Sequence, residues 1–500
     1  MRWDVLVPLF GYLLVMIGIG VYANRRLRGT ASIARSEEYY TAGRSLGWVV
    51  LVFTLLASTA SAGTFVGGPG LGYELGYGWV LASLAQAPAA FLTLGVLGKK
   101  FAILARKLDS VTVTDLIRHR YGSRFVVVFL SLAIVGLLLA YMVAQFVGGA
   151  RVLEATTGLD YSVVVVLFAG TVAVYTAFGG FRAVSLTDTV QGIVMFVGGV
   201  VLWLAVLSRT GGTGGSTREL VRSFPELVTL PGGGDMTAPM LFSFWVLLGV
   251  PLVVLPHVAV RGMAYKDSRA MHSAMMAGPL IMTVFTLGFT AMGPVARLFF
   301  PHLQVGDLAV PRMILEVLPA WVAGGLFAAP LAAIMSTVDS MLLIVSGSIV
   351  RDLYVNYVKP DIGHDAQNTL SRAVTFGAGV VVLLLSFRPP DLLEYLVLFA
   401  IGGLEAAIMW PLLLGLYWKR GNAVGAGLSS VAGLATYIVT GQLFETPFGM
   451  DPVVVSLAVG LGAYLAGVAL GPPPDREALV KFWGTNREVR RVLQPASGRG

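Results

Sequence analysis

The chain has 500 residues, of which 56% are hydrophobic and 12% charged, against roughly a quarter charged in an ordinary soluble domain. A mean hydropathy of +0.79 excludes a water-soluble fold and predicts an all-α polytopic membrane protein. The net charge of +8 comes without an aromatic-basic module, which argues against nucleic acid, and the absence of cysteine excludes disulfides, thiolate metal sites and thiol nucleophiles.

Apolar stretches near the ~20 residues of a spanning helix recur along the chain. Thirteen spans are expected, near 4–23, 46–67, 77–98, 125–148, 160–179, 185–208, 240–260, 273–299, 318–348, 370–387, 392–418, 422–441 and 452–470. The first is too long for a removed signal peptide and carries Asp4 at its start, so it is expected to remain. Arg25, Arg26, Arg28, Arg35 and Arg44 fill the loop after it, and Lys99, Lys100, Arg106, Lys107, Arg118, Arg120 and Arg124 the loop after span three. The loops on the other side at 68–76 and 442–451 hold no lysine or arginine, which places the N-terminus outside and the C-terminus in the cytoplasm. These basic runs also suit attraction to membrane lipid of the inner leaflet.

Span two ends in ASTASAGTFVGGPGLG, residues 57–72. Gly67, Gly68, Pro69, Gly70 and Gly72 predict that the helix breaks at the GGPG run, because proline lacks a backbone donor and glycine disfavours helix. Span seven carries Gly249, Pro251 and Pro256 and is expected to break too. Interrupted helices at corresponding places suggest two inverted five-helix repeats, spans two to six and seven to eleven, with one helix before and two after. The transporter domain then runs over 1–470 and a cytoplasmic tail over 471–500, with a short amphipathic helix in the tail. The outward loop at about 209–239, with GGTGGS and PGGGD, reads as flexible or partly ordered.

Ala333, Ser336 and Thr337 stand at i, i+3 and i+4 of span nine and so share one face, a spacing that Ala57, Ala60 and Ser61 repeat in span two. Carbonyl and hydroxyl oxygens are what a hard monovalent cation needs, though small hydroxylated residues also serve plain helix packing. Asp188, Asp339 and Glu405 are acids inside apolar segments, which are costly there and point to function. Asp188 either attracts a cation near the inner end of span six or pairs with Arg182. Asp339 and Ser340 extend the polar face of span nine toward a second ion site or ion path. For a solute, Ser58, Thr59, Ser61 and Thr64 are best placed, with Gln86, Gln145, His257 and Glu405 as further candidates and Arg261 as either a solute group or a boundary charge.

The segments ASTASAGTFVGGPGLGYELG, GGFRAVSLTDTVQG and AAIMSTVDS resemble the signature segments of the sodium:solute symporter family, over nearly the whole chain. LGKKFAILAR, QFVGGARVLE, LPHVAVRGMAYKDS, FRPPDLLEYL and FAIGGLEAAIMWPLLLGLYW are most similar to its pantothenate-carrying members. The resemblance implies thirteen helices with an inverted-repeat core of the LeuT type, and a sodium site made by carbonyls of Ala57, Ala60 and Ala333 with hydroxyls of Ser336 and Thr337. It makes Asp188 the family acid on the cytoplasmic ion path. Where proline-carrying relatives have an aspartate just before Ala60, this chain has Thr59, which argues against a proline carrier.

The expected function is sodium-coupled import of a small carboxylate, pantothenate first, with a monocarboxylate, amino acid or sugar as the rival solute. The expected place is the plasma (inner) membrane of a prokaryote, with no obligate protein partner. A membrane sensor would need a signalling domain larger than the tail. An intramembrane enzyme would need an acid-base or nucleophile constellation, and no HExxH, GxSxG or paired-histidine pattern occurs.

Overall fold

Spans two and seven set the architecture because neither crosses straight. The computed structural model describes residues 44–232, 236–388, 393–444, 446–485 and 488, with scattered positions between 7 and 22. Span two consists of Trp48–Thr59 and Gly63–Leu75, bent by 70°, and span seven of Ala238–Val254 and Pro256–Ala264, bent by 50°. The break in span two falls at 60–62, upstream of the expected GGPG run. Ala60 is extended at φ −81° and ψ 132°, and the freed donors find side chains: Ala62 N–H donates to Gln145 Oε1 at 2.8 Å, Gly63 N–H to Ser61 Oγ at 3.1 Å and Ser61 N–H to Thr64 Oγ1 at 3.2 Å.

GGPG itself is helical. Pro69 follows a wide helical turn over Gly63–Gly67 within the segment Gly63–Leu75. The glycines serve close approach instead: a Cβ on Gly72 would lie 2.8 Å from the Thr290 carbonyl oxygen, and one on Gly70 2.6 Å from Asp307 Oδ1. They let span two lie directly against span eight.

Every expected span coincides with a helix wherever the residues are described. Among the described residues nine helices are long and apolar enough to cross a membrane, and counting each bent pair as one span brings the number to eleven. Tyr161–Ala177, span five, is a shorter apolar helix, and the first span falls partly outside the described residues. Spans five and six run together as one helix over Tyr161–Thr210 that turns at Gly180, whose φ is +62°. Span nine, Ala320–Val355, forms the centre: 94% of its apolar window is buried, against 33% for span ten, His364–Ser386, and span thirteen, Pro452–Leu470. A central helix with no lipid-facing side can afford polar residues on several faces, and this is where Ser336, Thr337, Asp339 and Ser340 fall.

The loop at about 209–239 is more ordered, where described, than its glycines predict. It forms a helix over Gly212–Ser223 and a turn over Pro225–Val228, and Leu227 presses on Gly76 at the end of span two. Gly76 has φ +68°, and a Cβ there would come within 2.6 Å of Leu227 Cα. Gly233, Gly234 and Asp235 lie outside the described residues, as do Arg25, Arg26, Arg28 and Arg35. In the tail, the expected helix is present over Arg476–Trp483, with Asp475 capping it. The rest of the tail beyond residue 488 is outside the described residues.

Candidate functional site

The two sides of the break in span two face different partners. On one side Ser336 Oγ donates to the carbonyl oxygen of Ala57 at 2.8 Å and Thr337 Oγ1 to that of Ala60 at 2.8 Å. Both hydroxyls also reach Ala333 O, at 3.0 and 2.8 Å. Five oxygens from two helices thus converge, all of them buried. Ala60 O is available because the helix stops there, and Ser336 and Thr337 point together because residues one turn apart from Ala333 share a face. The set holds neither carboxylate nor soft atom. Its chemistry fits a monovalent hard cation once the hydroxyl protons turn away, and suits a divalent ion poorly.

On the other side the break opens into a cavity with both polar and apolar lining. Ser58, Thr59, Ser61 and Thr64 of span two line it, with Gln86 from span three and His257 from span seven. Ser58 Oγ donates back to Thr54 O at 2.7 Å, and Thr59 Oγ1 to Leu55 O at 3.0 Å, which steadies their rotamers. The facing wall is apolar, with Leu248, Leu252 and Leu255 from span seven and Val397, Leu398 and Ile401 from span eleven, Leu393–Tyr417. Of the expected solute residues, Gln145 and Glu405 do not line this cavity. Gln145 is committed to Ala62, and Glu405 is fully buried one turn beyond Ile401 with no hydrogen-bond partner for either carboxylate oxygen.

The cavity also contains residues that sequence reasoning missed: Trp79, Ser83, Tyr141, Thr286 and Thr290. The i, i+4 hydroxyl pair Thr286 and Thr290 on span eight repeats the spacing that singled out span nine, and was a usable signal. Trp79 carried none, since a tryptophan in an apolar helix reads as core or lipid contact.

Beneath the site a buried polar network joins five spans. Asp188 pairs with Arg261 at 2.8 Å, with both side chains fully buried, so its partner is Arg261. Arg182 is not described beyond its backbone. Thr54 Oγ1 donates to Asp188 Oδ2 at 2.6 Å, Arg261 Nη2 donates to Ser340 Oγ at 2.7 Å, and Tyr175 OH donates to Asp339 Oδ2 at 2.8 Å. Arg261 Nη1 also donates to the carbonyl of His257 at the break of span seven. Arg261 is therefore an interior countercharge and not a boundary charge. Two acids and one arginine leave the cluster with one negative charge in excess when both acids are ionised.

A polytopic helical protein in which a broken span meets a hydroxylated helix face beside a polar-apolar cavity has the architecture of a secondary transporter. The family model for the sodium:solute symporter family matches residues 39–433. The chain is 42% identical to the sodium/pantothenate symporter of Escherichia coli and 41% to that of Haemophilus influenzae, each over 94% of this chain and 97% of the relative. It superimposes on the substrate-bound outward-open state of a Na+-coupled sialic acid symporter with a TM-score of 0.81 at 20% identity, covering 95% of this chain and 98% of that one. The chain belongs to the sodium:solute symporter family and has its LeuT-type fold. It is a sodium-coupled transporter of a small solute, and not an enzyme.

Proposed function

We propose that the protein imports pantothenate with sodium by alternating access. The supporting observation is that one helix break serves both ligands: Ala57 and Ala60 turn their carbonyls to Ser336 and Thr337, while Ser58, Thr59, Ser61 and Thr64 line the cavity on the other side. Sodium held by Ala57, Ala60, Ala333, Ser336 and Thr337 bridges spans two and nine and sets the conformation of the unwound segment. The solute reads that same segment, so each ligand shifts the equilibrium the other depends on. Pantothenate, a small carboxylate, suits a cavity with one hydroxylated and one apolar wall, and it is the solute in the names of the two bacterial relatives above.

In this reading spans two to six and seven to eleven form the two repeats, within a transporter domain over 1–470 followed by a tail over 471–500. The N-terminus is outside and the C-terminus in the cytoplasm, with basic loops against the inner leaflet of a prokaryotic plasma membrane. Asp188, Asp339 and Ser340 line the path by which sodium leaves, with Arg261 as the resident countercharge. The deciding experiment is sodium-gradient uptake by purified protein in liposomes against a panel of labelled solutes: pantothenate, a monocarboxylate, proline and glucose. Sodium-dependent accumulation of unmodified pantothenate is expected. Accumulation of another solute in its place overturns the reading.

A further inference from the structure

Among the polar groups of the cavity, four hydroxyl protons are already spent. Ser58 and Thr59 donate to carbonyls of their own helix, Ser83 Oγ donates to Thr290 Oγ1 at 3.0 Å, and Thr290 Oγ1 donates to Thr286 O at 2.7 Å. Trp79 differs. Its side chain lines the cavity and is 3% exposed, and its indole Nε1–H has no hydrogen-bond partner.

The ring is packed among neighbours. It is held edge-on against Phe244 of span seven, with centroids 5.0 Å apart and planes at 88°. Its nitrogen lies 3.7 Å from where a Cβ on Gly68 would stand, so the indole edge lies beside the backbone of span two. An indole nitrogen donates and never accepts, and a buried donor left unpaired is costly unless something bound satisfies it. What binds opposite Trp79 must therefore offer an oxygen acceptor. The described cavity lining contains no lysine or arginine, so an anionic end has neutral donors alone to meet it there.

Building on the reading of the solute as pantothenate, we propose that Trp79 is a solute-binding residue whose indole N–H donates to the carboxylate of the transported molecule. Recognition of the anion then rests on a neutral, directional donor rather than on an ion pair. Such a bond is made and broken without stranding a buried arginine or lysine after the solute has left, which is what a carrier that must return empty requires.

The test uses full-length protein in liposomes under a sodium gradient, comparing wild type with Trp79→Phe and Trp79→His. Phenylalanine keeps an aromatic ring without the donor, and histidine restores a ring N–H. KM for labelled pantothenate is measured together with competition by its uncharged alcohol analogue and the sodium concentration for half-maximal uptake. Trp79→Phe is expected to raise KM about tenfold or more, the loss typical of a hydrogen bond to a charged acceptor. The preference for the carboxylate over the alcohol is expected to fall toward unity, the sodium requirement to stay unchanged, and Trp79→His to recover part of both. A KM within twofold of wild type, or a lowered affinity with the carboxylate preference intact, overturns the assignment. If wild type takes up a different carboxylate and not pantothenate, the solute reading fails separately, and the same preference measured with that carboxylate and its neutral amide decides the role of Trp79.

Discussion

Thr337 Oγ1 lies 2.8 Å from the carbonyl oxygen of Ala60, a residue 277 positions away. With the equivalent contact from Ser336 to Ala57 it joins the central helix to the broken one, at the point where the backbone of span two leaves helical geometry.

If this junction holds the coupling ion, Ser336→Ala and Thr337→Ala each remove one oxygen ligand while leaving the carbonyls in place. Each substitution is expected to raise the sodium concentration for half-maximal uptake about tenfold, with insertion into the membrane unchanged. Sodium activation curves of the two variants in proteoliposomes check this, and curves that overlay wild type would remove both residues from the ion site.

The Asp188 and Arg261 pair is fully buried, so losing one partner strands the other charge, a change that costs about 3–5 kcal/mol in comparable buried pairs. Asp188→Asn and Arg261→Gln are each expected to lower the melting temperature of the purified protein markedly. The double variant, which removes both charges, is expected to recover much of that loss while transporting poorly. Equal destabilisation by all three variants would mean that the two residues contribute independently.

The tail helix Arg476–Trp483 is docked on the ends of spans three and eleven. Lys100 Nζ lies 4.7 Å from the ring of Trp483 and 4.9 Å from that of Tyr417, Arg120 stands 5.1 Å from Trp483, and Lys107 Nζ donates to Gly484 O at 2.9 Å. Cation–π contacts of this kind contribute roughly 0.5–2 kcal/mol each. Trp483→Ala is therefore expected to loosen this corner and expose Leu416, which is 1% accessible. Because the chain has no cysteine, a single Leu416→Cys reporter can be labelled without background. Maleimide should react with it several-fold faster when Trp483→Ala is present, and equal rates would show that the tail does not hold the corner closed.

His119, on the connecting helix Val113–Tyr121 between spans three and four, has its pKa lowered to about 4, first by burial and against the pull of Asp115; Arg118, Lys481 and Arg351 lower it further. The folded protein therefore favours the neutral ring. The stability this contributes is fully present above the ordinary histidine value near 6.5 and is lost as pH falls through that value toward 4. His119→Gln should flatten the acid side of a melting-temperature profile over that window, whereas an unchanged profile would assign the acid sensitivity to other groups.

How much of this was legible in advance differs by residue. Ser336 and Thr337 were found from spacing alone, because residues on one face of a helix are fixed by its period. The bend in span two was expected from its glycines and proline, yet it formed ten residues before Gly72. Gln145, Ser61 and Thr64 could satisfy the backbone at Ala62, Gly63 and Ser61, and no hydropathy pattern records such partners. Trp79 and Arg261 were misjudged or passed over for the same reason, since their meaning lies in what faces them.

The sequence by itself determined the all-helical membrane architecture, the two spans that would be interrupted and the family. Each of these follows from apolar length, backbone chemistry and local motifs, which are properties of a continuous stretch of chain. Only the tertiary structure decided that Asp188 meets Arg261, that Glu405 and Gln145 stand back from the cavity, and that Trp79 enters it. Helices in a membrane choose their rotation by close packing and polar pairing with neighbours, and those neighbours are brought together from distant parts of the chain.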